Sequence, residues 1–174
     1  MVFLSWKGDN KLSQYLIVIV NRSMARFFTL EPVEFPELES SPRLTACTEL
    51  KNKEFRDCHE IFADSKSGRG AAPQGGSVHG YEDKRDEHLN ELGRRFATGV
   101  LNQIQKIASL KRSRIIILAA SARMRRFLYH VLDTLSRQGY RIHKLSKNII
   151  NFSPQKIHEY LAVNGLIPEQ QKRL

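Results

Sequence analysis

Cys58, His59, His79 and His88 are the side chains of this sequence that metal or nucleophile chemistry would use first. Their spacings match no zinc pattern, and no metal or other cofactor is expected from them. Cys58 beside His59 does not define a nucleophile and its base, because catalytic pairs meet in space rather than in sequence. The carboxylate pairs Glu82/Asp83 and Asp86/Glu87 lie in a charged stretch and read as a loop end and a helix start. A hydrolase would have to use His79 and Glu82 beside that loop. No catalytic residue is assigned, and the chain is read as a non-enzyme.

The loop itself, Gly68–Gly80, holds five glycines and a proline in thirteen residues. It contains no GxxxxGK[ST] cradle and does not directly join a strand to a helix, so neither phosphate-loop context applies. Nothing apolar in "GRGAAPQGG" would anchor it. The expectation is a mobile finger that reaches a partner, with Gly68, Arg69, Gly70, Gln74, Gly75 and Gly76 in the finger. His79, Tyr81 and Glu82 would stand at its base.

Charge gives the stronger lead. The 174 residues carry a net +10, yet residues 1–108 are balanced at 15 basic and 15 acidic side chains. Residues 109–147 hold ten basic side chains against one acid, Asp133. Ordinary surfaces intersperse both signs. On a helical wheel, Arg123, Arg126, His130 and Arg137 share one side, opposite Met124, Phe127, Leu128, Val131, Leu132 and Leu135. Arg125 borders the apolar stripe. Lys111, Arg112 and Arg114 lead into the preceding strand, and Arg141 and Lys144 lie on the following one. Arginine's planar fork suits phosphate. These nine residues (Lys111, Arg112, Arg114, Arg123, Arg126, His130, Arg137, Arg141, Lys144) are the candidate phosphate contacts, with RNA or the ribosome as the partner. No aromatic RNP-type motif is present, so base-specific readout is not indicated. The alternative is a protein-interaction module whose basic segment meets an acidic protein or a membrane surface.

Apolar period places these residues on elements. Tyr15–Asn21 is an unbroken β-branched run of the buried-strand type, Ala25–Glu31 returns as a hairpin strand, and Leu44–Leu50 alternates as a third. Residues 51–84 show no convincing period. Asp86–Ser109 repeats apolar residues at three and four and predicts a long helix. Arg114–Ala120 is a strand, Ser121–Gln138 a helix with Ser121 as N-cap and Gly139 as its stop, and Tyr140–Leu145 a strand. Ser153–Leu161 begins with an N-cap and a proline and closes the fold as a short helix. The order predicts a single α/β domain over residues 15–165, with a mixed sheet of about five strands and packed helices, a 1–14 extension and a 166–174 tail. No apolar run is long enough to span a bilayer. The first residues lack the pattern of a signal peptide, and two cysteines without a framework fit a reducing compartment, so a cytoplasmic protein is expected.

"IVIVNRSMARFFTL", the glycine loop, "HGYEDKRDEHLNELGRRFATGVL", "IIILAASARMRRFL" and "KLSKNIINFSPQKIHEYL" follow one another between Tyr15 and Leu161. In that order they resemble the bacterial host attachment protein family, named for a requirement in attachment to host cells. That family in turn resembles the middle domain of archaeal and eukaryotic peptide chain release factors. The resemblance implies a release-factor-like α/β domain and an intracellular role on ribosome or RNA. In the release factors a Gly-Gly-Gln loop ahead of a long helix enters the peptidyl transferase centre. Here Gln74 precedes Gly75 and Gly76, and Ser77 stands where the glutamine would be, so peptide release is not carried over. The family's closing segment usually has an aspartate after its lysine, whereas Asn148 follows Lys147 here.

Overall fold

The structure is a computed structural model that describes residues 14–33, 35, 41–55 and 79–170, with residues 79–85 described by backbone alone. Five strands, β1 (Tyr15–Val20), β2 (Met24–Glu31), β3 (Arg43–Lys51), β4 (Ile115–Ala120) and β5 (Arg141–Leu145), form one sheet in the order β3-β2-β1-β4-β5. The pairs β1–β2 and β2–β3 are antiparallel, and β1–β4 and β4–β5 are parallel. The mixed sheet and α/β class expected from the element order are therefore what the chain adopts.

Helices α1 (His79–Lys111), α2 (Ala122–Arg137) and α3 (Pro154–Val163) cover the sheet. Helices α1 and α2 pack on one face, where Val100, Ile104, Met124, Leu128 and Leu132 meet Leu16, Val18 and Phe27. Helix α3 covers the other face with Ile157 and Leu161 against Ile17, Ile19 and Ile117. Strands β1 and β4 are thus buried on both sides, and this accounts for "LIVIV" and "IILAA" being apolar without alternation. No helix among the described residues is long and apolar enough to cross a membrane.

Helix α1 starts at His79, seven residues before the Asp86 expected from periodicity. Its first residues, "HGYEDKR", carry no apolar repeat, so the period is silent about them. Ser153 caps α3 as expected, its Oγ accepting from the Lys156 N–H at 3.3 Å. Ser121 holds the N-cap position of α2 as expected, with its carbonyl accepting from Met124 N and Arg125 N, but its side chain makes no cap hydrogen bond.

The helices end alike. Ser113 N donates to Ala108 O, Tyr140 N to Leu135 O and Leu166 N to Leu161 O, the 6→1 bond of a Schellman stop. That stop needs a left-handed residue, which is Gly139 at φ 88° for α2 and Gly165 at φ 69° for α3. At α1 the position is held by Arg112 at φ 55°, where a side chain costs about 1–2 kcal/mol.

His158 lies on α3 at 1% exposure, and its Nε2 has no hydrogen-bond partner. Burial lowers its pKa, and the nearby charge of Glu159 opposes this only in part. The unfolded chain therefore binds more protons than the native one below the ordinary histidine value of 6.5. Stability should fall as pH drops through about 6.5, by up to about 1.4 kcal/mol per pH unit. His158→Leu should flatten that slope in urea titrations between pH 7 and 5. Parallel wild-type and variant curves would show that His158 does not titrate on unfolding.

Candidate nucleic-acid interface

Helix α2 presents two faces because its period is 3.6. Met124, Leu128, Leu132 and Leu135 are fully buried. Arg123, Arg126, His130 and Arg137 are all exposed on the outer side. The stripe from Arg123 to Arg137 runs about 21 Å along the axis at 1.5 Å per residue. Neither Arg123 nor Arg137 pairs with an acid among the described residues, and Arg126 Nη2 donates to the neutral Asn90 Oδ1.

The stripe borders a groove between α1 and α2 of about 480 Å³. Asn90, Arg94 and Thr98 line it from α1, and Arg126, Phe127, His130 and Val131 from α2. Its depth depends on Gly93. A Cβ there would sit 2.5 Å from Phe127 Cε2 and within 2.9 Å of two more ring atoms. Glycine lets the two helices close on the Phe127 ring, over which the Arg126 guanidinium lies at 4.5 Å from the centroid. Alanine would gain about 1 kcal/mol of helix propensity but overpack by about 1–3 kcal/mol. Gly93→Ala should therefore lower stability by about 1 kcal/mol in thermal melts. Adding Phe127→Leu should recover it. A Gly93→Ala protein more stable than wild type would show that the ring moves aside freely.

The remaining predicted contacts are not all on the stripe. Lys111 is drawn to β2, its Nζ 3.1 Å from Glu31 Oε1. Burial works against the Glu31 charge, but hydrogen bonds from Lys111 and Thr29 outweigh it and hold the carboxyl below its ordinary value. Lys111 and Glu31 line a second groove, of about 380 Å³, with Thr29, Cys47 and Lys106. Cys47 is an exposed free thiol at the point where the β2–β3 register shifts. Arg114 and Arg141 lie at the start of β4 and β5, joined by Arg141 N to Arg114 O at 2.9 Å. They share the edge of the sheet where α1 ends at Lys111 and α2 at Arg137. Lys144 is on the opposite flank of α2, its Nζ 4.7 Å from the Tyr129 ring centroid. Arg125 is on that flank too, donating to Ser146 Oγ at 2.7 Å. The loop residues Gly68, Arg69, Gly70, Gln74, Gly75 and Gly76, and also Cys58 and His59, lie outside the described residues. His79 and Tyr81 are in the first turn of α1. Among the described residues no group of three or more His, Cys, Asp or Glu could hold a metal.

Two cations of this region escaped the sequence reading. Arg94 was hidden in the charge-balanced part of the chain, where it pairs with Glu91 at 3.3 Å. Arg22 occupies the β1–β2 turn, and burial followed by the charges of Arg123 and Arg126 lowers its pKa, Asp86 acting the other way. A lone arginine in "NRS" gives no local signal of this. The signal is the parallel pairing of Val20 with Ala120, which sets the turn beside the start of α2.

The fold and site define an α/β domain with a mixed five-stranded sheet, helices on both faces and a cation-rimmed groove between two of them. The chain belongs to the family described as "protein required for attachment to host cells", whose profile matches residues 16–161. Among solved structures, an archaeal translation termination factor, aRF1, is similar at 15% identity and a TM-score of 0.46. The likeness covers 91% of this chain but 36% of the factor, so this chain spans little more than a third of that protein's length. No curated protein matches the sequence.

Proposed function

We propose that this family member is a cytoplasmic, non-enzymatic protein that binds RNA or the ribosome through the basic side of α2, in a translation-related role. The observation that carries the reading is the row Arg123, Arg126, His130 and Arg137, exposed on one side of a helix whose other side is core. A row of cations about 21 Å long suits a polyanion with charges at regular intervals. The adjoining groove adds Phe127 as an apolar floor and Asn90 as a polar contact. None of its seven lining residues is a carboxylate, cysteine or serine. Thr98 Oγ1 donates to Arg94 O at 3.1 Å within its own helix. Among the described lining residues no nucleophile is paired with a base. The family description names a phenotype, and binding of this kind is the molecular step assigned to this member.

The test is fractionation of a lysate on sucrose gradients at low and at high salt. The protein should travel with ribosomal particles or other RNA at low salt and move to the top at high salt. Loss of co-migration on nuclease treatment identifies RNA as the anion. A protein that stays at the top at low salt contradicts the reading. Co-migration that survives nuclease and is competed by an acidic protein would give the stripe to a protein partner instead.

A further inference from the structure

We propose that Arg22, Arg123 and Arg126 form a seat for a terminal phosphate, the phosphomonoester group at a nucleic-acid end or on a small phosphate ester. This rests on, and deepens, the reading of the α2 stripe as a polyanion surface.

The sheet register assembles the seat. Val20 and Ala120 are partners, and Ser121 N donates to Val20 O at 3.0 Å, so the β1–β2 turn and the first turn of α2 leave the same edge. Arg22 is held in that turn. Asn21 Oδ1 accepts from Ser23 N at 2.9 Å and Met24 N at 2.8 Å, and Asn52 Nδ2 donates to Arg22 O at 2.9 Å. Its guanidinium lies 5.5 Å from the Phe55 ring centroid. Arg126 donates to Asn90 of α1, one helical turn after Asp86, the acid whose charge acts on Arg22. Arg123 stands between them in sequence, one helical turn ahead of Arg126.

The charges of Arg123 and Arg126 act against that of Arg22. Asp86 is the described acid that attracts Arg22, and none of the three arginines forms an ion pair with a described residue. The first turn of α2 has no acidic residue, so the positive end of the helix dipole adds to the same field. A phosphodiester carries one negative charge, whereas a phosphomonoester carries about 1.5 to 2 at pH 7. The second balances three cations better. Position agrees with charge, because Arg123 is the first arginine of α2. A strand laid along the stripe from Arg137 ends at the seat.

The experiment is fluorescence anisotropy with a twelve-nucleotide RNA bearing a phosphate at its 5′ end, at its 3′ end, or hydroxyls at both. Inorganic phosphate is tested in parallel by thermal shift against chloride at matched ionic strength. Wild type should prefer one phosphorylated end by about tenfold, the scale of added charge-assisted hydrogen bonds. Arg22→Gln should bring the ratio of the two affinities to about one. Arg137→Gln should weaken every RNA while keeping the ratio. If Arg22→Gln does not fold, the exposed Arg123→Gln takes its place, with the same loss of ratio expected. RNA binding with no end preference overturns the seat and leaves the stripe standing. If no RNA binds, a phosphate-specific rise in melting temperature that Arg22→Gln abolishes assigns the seat to free phosphate or a small ester. Absence of both RNA binding and that rise overturns the seat.

Discussion

Arg26→Ala should destabilise the protein by about 3–5 kcal/mol. Arg26 is on β2, and its Nη1 donates to Ile150 O at 2.8 Å and to Phe152 O at 2.9 Å. Those carbonyls belong to the segment that leads from β5 into α3. The guanidinium also lies 4.9 Å from the Phe28 ring centroid and its Nε 3.4 Å from Glu49 Oε1. The side chain is 18% exposed, so its removal strands two carbonyls in a poorly solvated place and leaves a void. Each buried polar group left without a partner costs about 1–3 kcal/mol. The ion pair is the smaller part, because Glu49 is 48% exposed and surface pairs contribute about 0–1 kcal/mol. Glu49→Gln should accordingly cost less than about 1 kcal/mol. Urea unfolding at pH 7 measures both, read as a midpoint shift at constant slope. An Arg26→Ala protein within about 1 kcal/mol of wild type would mean that water replaces the guanidinium at both carbonyls.

The largest expected effect on binding comes from the α2 stripe. Each phosphate contact releases counterions, worth a slope of about −0.7 in log affinity against log salt for a single strand. Changing Arg123, Arg126 and Arg137 together to Gln should weaken RNA binding and flatten that slope by about two units. The fold should survive, because Met124, Leu128, Leu132 and Leu135 keep their places in the core. Arg125 is the control. It is directed to Ser146 on the β5 side of the helix, so Arg125→Gln should matter less for binding. A salt titration of RNA affinity, with thermal melts alongside, decides the matter. A folded triple variant with an unchanged slope would reduce the stripe to a solvated surface.

The sequence by itself determined the elements whose signal is local. The unbroken runs "LIVIV" and "IILAA" announced strands covered on both faces, and α1 and α2 cover one face while α3 covers the other. The 3.6 period of Met124 to Leu135 fixed which side of α2 is core, and so which arginines are exposed. Where no apolar period exists, as in "HGYEDKR", the start of α1 was not legible. Tertiary structure alone decided which charges meet. Lys111 and Arg123 look equivalent in a basic run, yet one pairs with Glu31 on β2 and the other stays open at the head of α2. Arg22 and Arg26 look equivalent in "NRSMARFF". The strand alternation and the pairing of β1 with β4 send Arg22 to the edge beside α2 and Arg26 beneath the segment before α3. The reason is physical: apolar periodicity is written between neighbours in sequence, whereas the neighbours of a charge are chosen by strand register across about a hundred residues.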